Sequence, residues 1–364
     1  MTFNEKIRAL MLEKEIPYLD ILVCKNHDVK LRFTSEGAVG NERLQLFSMS
    51  KGITVTAVLR LIEEGKLSFD TKVCELFPEF EKTYYMQDGK LLENREAITV
   101  KHLITMSSGL SYDVADPAIL SVTEKKGQGA LLKDYVPAFA KMPLSFPVGK
   151  SFQYGLSHDL LAAIVEKVTG VPFDEYVRDT LFIPLGMKDS TFTNTECGIF
   201  EKLVCNEDKS ITSAPVHNDL LFSEKYVSGG AGMISTVRDY SLFVSALANG
   251  GVAKNGYRIL SSDTVRLLST PVLDHDFVKH DFNWQGDDYG YGYGVRVRER
   301  DTDWGLTKGE FGWDGATGGF WLVDPKNKIS VVIGMNILSW ERRFVGLHIE
   351  IMKEIYRELG INDK

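Results

Sequence analysis

The chain reads as an α+β protein: an antiparallel β-sheet flanked by helices, assembled from both ends of the sequence, with a mostly helical region inserted between them. Three observations carry this reading. Short runs rich in alternating apolar residues occur before residue 35 and again after about residue 220, the period-2 signal of half-buried strands. Between residues 70 and about 200 no convincing run of that kind appears, and apolar residues recur at helical spacing instead. Near the C-terminal end two strand-like runs are separated only by Pro325-Lys326-Asn327, a turn that permits antiparallel pairing and no crossover.

Taken in order, residues 3–15 predict a helix. "YLDILVCKNHDVKLRFTSEG" predicts two strands about a turn at Asn26–Asp28, a hairpin. After Ser48, the apolar stripe Ile53, Val55, Val58, Leu59 and Ile62 predicts a helix that stops at Gly65. "LLKDYVPAFAKM", "DLLAAIVEKVTG" and "FDEYVRDTLFIPLG" are helical runs between Gly- and Pro-bearing loops. "GYGYGVRVRER", "GGFWLVDP" and "KISVVIGMN" alternate as strands, and "RRFVGLHIEIMKEIYREL" closes the chain as a helix. The segment from about Leu273 to Tyr289 reads as a solvated loop, long enough to serve as a flap at a pocket. The expected division is a sheet domain of residues 1–70 and 205–364 and a helical domain of 71–204, with the active site between them.

Composition narrows the function. The formal charge is -8 and no Lys/Arg cluster offsets it, so nucleic acid is not an expected partner. The N-terminal segment is charged throughout and no run approaches the roughly 18 apolar residues of a membrane helix, so a cytoplasmic protein without membrane association is expected. Cys24, Cys74, Cys197 and Cys205 form no Cys-x-x-Cys pair and read as free thiols; Cys197 and Cys205 are close in sequence but too few for a metal site. His275 and His280 lie among aspartates without a His-Glu-x-x-His pattern. No cofactor or metal is expected.

The stretch "FSMSKGIT" carries the chemistry. Ser48 and Lys51 are three apart, on one face of the predicted helix start. A Lys one turn after a Ser brings its amine within reach of the hydroxyl, and a neutral amine assists deprotonation when burial lowers its pKa. The positive end of the helix dipole favours developing negative charge there. Taken alone, the spacing also fits a Ser N-cap, and chance produces it about once in a chain of this size.

Longer segments decide between these readings. "LFSMSKGITVTAVLRLIEEGKLSFDTKV", "ITVKHLITMSSGL", "PLGMKDSTF" and "GGAGMISTVRDYSLFVSALANGG" resemble, in the same order, segments of the class C β-lactamase family and its esterase relatives. The resemblance spans nearly the whole chain and implies a β-lactamase/transpeptidase-like fold. Its second element, Tyr-x-Asn, is matched in "FQYGLSHD" by Tyr154, with Leu156 in place of the Asn. Its third, Lys-Thr-Gly or His-x-Gly, is matched by Trp313-Asp314-Gly315, with Trp in place of the Lys. Tyr-x-Leu with Trp-x-Gly resembles the family VIII carboxylesterases more than the β-lactamases. The resemblance implies Ser48 as nucleophile, Lys51 and Tyr154 sharing the base and acid work, and backbone N–H groups of Ser48 and Ala316 as oxyanion hole. Trp313, Asp314, Gly315 and Leu156 are then expected to border the substrate, a small ester or amide. A β-lactamase, a D-amino-acid peptidase of the penicillin-binding type, an acyltransferase and a non-catalytic binding module are the alternatives. The Gly-x-Ser-x-Gly elbow of α/β-hydrolases is absent, and "GKS" at Gly149–Ser151 lacks the first glycine of a phosphate loop.

Overall fold

A computed structural model describes residues 1–193, 198–282, 288–339 and 346–361. Cys197 and the start of the predicted C-terminal helix lie outside these residues. The remaining cysteines, Cys24, Cys74 and Cys205, are free thiols.

The two chain ends do build one sheet. Strand Asp20–Lys25 pairs on one side with Asp28–Thr34 and on the other with Ile329–Gly334. Phe320–Asp324, Phe311–Asp314, Arg296–Arg298 and Tyr289–Tyr291 follow in turn, every pairing antiparallel. The first hairpin turns at Asn26 and His27, both with positive φ (51° and 67°), the two-residue geometry that matches strand twist. Alternation sorts the side chains into two layers. Ile21, Val23, Leu322, Val331 and Ile333 share an apolar cluster with Phe3 and Ile7 of helix Phe3–Glu13 and with Ile351 and Ile355 of helix Leu347–Glu358. Leu22, Cys24, Trp321, Val323 and Val332 belong to a second cluster on the opposite face, with Ile53 of helix Ser50–Glu63 and Phe243 of helix Val237–Ala248. All six residues of strand Ile329–Gly334 are buried, as a central strand covered on both faces must be.

Helix Ser50–Glu63 lies inside this second layer and is buried almost all round. It packs against helix Ser157–Thr169 of the inserted helical region. A two-residue pairing, Leu44–Gln45 with Ile234–Ser235, fixes the chain just before Ser48 against the segment that follows Gly230.

Three expectations are corrected. The region between 70 and 200 holds a hairpin, Tyr84–Gln87 with Lys90–Glu93. Its turn, Asp88-Gly89 with φ 49° and 72°, is a strong hairpin signal, but the flanks are mostly exposed and so lack alternation. "GYGYGVRVRER" is two strands, because Gly292 N–H bonds to Val295 O at 2.8 Å and turns the chain between them. The segment read as a solvated flap holds a helix, His275–Phe282, started by an Asp274 carboxylate that accepts from Phe277 N–H at 3.0 Å and anchored by a fully buried Val278. Among the described residues, no helix is long and apolar enough to cross a membrane, and no group of three or more His, Cys, Asp or Glu side chains is placed to hold a metal ion.

Candidate active site

The chain enters the site through a single 3₁₀ turn, Phe47–Met49, which leads into helix Ser50–Glu63. Phe47 has φ 47°, the left-handed region that a bulky residue rarely adopts, and the bend it makes sets Ser48 at the head of the helix. Neighbouring segments hold the bend. Leu46 N–H donates to Met233 O at 2.9 Å, Met233 N–H to Ser50 Oγ at 3.0 Å, and the Tyr240 hydroxyl to Met49 O at 2.7 Å.

Ser48 is half-buried and Lys51 is fully buried, and the i, i+3 spacing puts Lys51 Nζ 3.1 Å from Ser48 Oγ. Nζ also lies 2.9 Å from the Tyr112 hydroxyl and 2.8 Å from Gly230 O. Burial pushes the Lys51 amine down to about 7, against the opposing pull of the Asp159 charge. A neutral amine has two N–H donors and one lone pair. The Gly230 carbonyl can only accept, so the lone pair must face a hydroxyl, that of Ser48 or Tyr112. Burial raises the Tyr112 phenol well above its ordinary range and keeps its proton in place. Asp159 is buried with one oxygen accepting from the Tyr226 hydroxyl at 3.0 Å, and burial raises its carboxyl. His158, also buried, is held far below its usual range by burial and then by Lys51, and so is neutral.

The structure brings Tyr154 and Trp313 to the same place. Lys51 Nζ lies 4.6 Å from the Tyr154 ring centroid, and the Tyr154 hydroxyl accepts from Trp313 Nε1 at 2.9 Å. Trp313 is the penultimate residue of strand Phe311–Asp314 and is 2% exposed. Next along the chain, Gly315 lies so close to the Phe47–Met49 turn that a Cβ there would sit 2.5 Å from Leu46 O. The Gly315 N–H donates to Gly319 O at 2.7 Å, and Ala316 follows it in the same turn.

Two of the expected substrate-bordering residues lie elsewhere. Asp314 follows Trp313 on the strand, so its side chain leaves by the opposite sheet face, where Arg296 Nη1 donates to it at 3.2 Å. Leu156, at the start of helix Ser157–Thr169, is 1% exposed and packs in the apolar core. One residue was missed. Tyr112 comes two positions after the segment "ITVKHLITMSSGL", and nothing in its spacing points to Lys51, 61 residues away.

This fold and constellation define the class of the penicillin-recognising serine hydrolases. The chain belongs to the Beta-lactamase family, whose model matches residues 3–352. It is 32% identical over 234 residues to the esterase EstB of Burkholderia gladioli, a match that covers 57% of each chain. It is 26% identical over 369 residues to penicillin-binding protein 4 of Amycolatopsis lactamdurans, covering 98% of this chain and 88% of that one. Among solved structures it is similar to EstCE1, a hydrolase with promiscuous acyltransferase activity, with a TM-score of 0.80 over 97% of this chain and 98% of that one. At 23% identity the latter likeness is one of fold.

Proposed function

We propose that this chain is a carboxylesterase that hydrolyses small, short-chain esters through an acyl-enzyme on Ser48, at a site between the sheet part (1–70 and 205–364) and the helical part (71–204). The observation that carries the reading is the contact between Ser48 Oγ and a buried Lys51 amine at 3.1 Å, the amine held near neutrality at about 7. Ser48 Oγ attacks the ester carbonyl carbon while its proton passes to Lys51. The oxyanion takes hydrogen bonds from the Ser48 and Ala316 N–H groups. The leaving alkoxide recovers the proton through Tyr154 or directly from Lys51, and a water repeats the sequence on the acyl-enzyme.

The substrate class follows from two replacements. Trp313 presents no cation where β-lactamase relatives place a Lys, and its one donor is committed to Tyr154. Leu156 offers no amide and is buried in the core. A β-lactam would lose two polar partners, each typically worth about 1–3 kcal/mol. A neutral ester needs neither.

The test is in two parts. A fluorophosphonate should label wild-type protein at Ser48, and Ser48→Ala should abolish labelling and lower turnover by roughly 10³–10⁶. Retained turnover in purified Ser48→Ala protein would place the chemistry elsewhere. kcat/KM for p-nitrophenyl butyrate should exceed that for nitrocefin by orders of magnitude; equality or the reverse order refutes the esterase reading.

A further inference from the structure

We propose that Arg296 is a positioning residue for this reaction: acting through Asp314 from the far face of the sheet, it holds the strand end that aims the Ala316 N–H at the substrate carbonyl. The inference rests on the acyl-enzyme reading above.

Strand Phe311–Asp314 has two working faces. Towards the site it presents Phe311 and Trp313, and Trp313 holds Tyr154. Towards the other face it presents Gly312 and Asp314. A Cβ at Gly312 would sit 3.1 Å from Arg296 Nη2 and 2.0 Å from Trp321 O, so the glycine leaves room for the guanidinium to lie against the back of the strand. Arg296 is 1% exposed. Its Nη1 donates to Asp314 at 3.2 Å, and its Nη2 reaches Glu310 and Trp321 O, each at 3.3 Å. One planar group thus grips the residue just before the strand, the strand's last residue and the neighbouring strand. A rigid fork does this where a flexible ammonium or an apolar side chain does not.

What the fork fixes leads directly to the proposed oxyanion donor. The strand ends at Asp314 and turns back between Gly315 and Gly319, with Gly318 N–H donating to Gly315 O at 3.0 Å. The turn is pressed against the nucleophile segment: Gly315 against Leu46 O, and the Thr317 hydroxyl to Gln45 O at 3.4 Å. Behind it, His348 Nε2 and Gly318 O are 2.9 Å apart. Ala316 therefore sits in a turn held between a charged clamp behind the sheet and the Gln45 and Leu46 carbonyls in front. An oxyanion donor works only within about 2.7–3.1 Å of the developing charge, so a strand end that drifts by a fraction of an ångström loses transition-state binding before it loses substrate binding.

The test uses the full chain and three variants. Asp314→Ala removes the grip on the strand end and leaves Arg296 paired with Glu310. Asp314→Asn keeps an acceptor. Arg298→Gln breaks contacts of the same buried network with Glu310 and Tyr289 without touching Asp314. For p-nitrophenyl butyrate, Asp314→Ala should lower kcat by roughly 10–100-fold with KM within about threefold, and weaken an alkyl boronic acid inhibitor in parallel, because the tetrahedral adduct needs the same donor. Asp314→Asn should recover most of that loss. Arg298→Gln should lower the melting temperature with kcat within about threefold of wild type. Wild-type kcat and boronate affinity in Asp314→Ala would overturn the proposal, as would a kcat loss in Arg298→Gln matching that of Asp314→Ala. Fluorophosphonate labelling of wild-type Ser48 checks the underlying reading separately: without it both fail, and with it an unaffected Asp314→Ala refutes this inference alone.

Discussion

Lys51 and Arg296 are both buried bases, 0% and 1% exposed, and their surroundings push their proton affinities in opposite directions. Lys51 meets two hydroxyls and a carbonyl, none of them charged. Its amine falls to about 7 because burial outweighs the Asp159 charge. Arg296 meets two carboxylates, Glu310 and Asp314. Burial works against its charge too, yet the two carboxylates hold the guanidinium above its ordinary range. The difference teaches that burial alone does not decide protonation; the charge of the contacting groups does. On one side of the sheet the outcome is a group able to take a proton, on the other a permanent cation with a fixed shape.

The comparison can be broken at its sharpest point by Lys51→Met, which keeps an unbranched chain one atom shorter and removes the amine. Turnover should fall by roughly 10³–10⁶, on the scale of losing Ser48, because the proposed nucleophile and base act as a unit. Activity near wild type would strip Lys51 of its role. Next in size is Glu310→Ala. It leaves Arg296 and Arg298 short of a buried counter-charge, and breaking such a pair typically costs about 3–5 kcal/mol. Denaturant unfolding should show that loss; a change below about 1 kcal/mol would mean that the network is not charged as described.

The smallest effects are in pH. As the proposed base, Lys51 must be neutral to take the proton, so kcat/KM should rise as pH increases through about 7, following the depressed amine. An acidic limb unmoved in Asp159→Asn would exclude Asp159 as an influence; the expected movement is to lower pH, since its charge pulls the Lys51 value up. Stability carries the same signature. Between about 7 and the ordinary 10.5, the unfolded chain holds a proton on Lys51 that the folded chain does not, so folding becomes more favourable as pH rises through that window. Lys51→Met lacks this dependence, and its stability advantage over wild type should therefore be greatest below pH 7 and shrink towards pH 10. A constant offset between the two proteins would show that the amine is charged in the folded state.

Much of this protein was legible along the chain because it is local. The turn at Asn26 and His27, the stop at Gly65 and the two-layer alternation of the strands follow from backbone sterics and side-chain period. The Ser48–Lys51 contact follows from helix geometry at a separation of three residues. Tyr154 and Trp313 emerged only because a motif resemblance tied them together, and they meet in the structure across 159 residues. Strand alternation alone would have sent Asp314 to the opposite face from Trp313, had it been applied to the motif instead of reading the motif as a block. What tertiary structure decided was everything that depends on surroundings. Tyr112 and Gly230 reach Lys51 across 61 and 179 residues, and only the packing that brings them there buries the amine and pushes it down to about 7. A sequence records which groups can carry charge. Whether they do depends on the dielectric and the partners around them, and those exist only once distant segments have closed over the site.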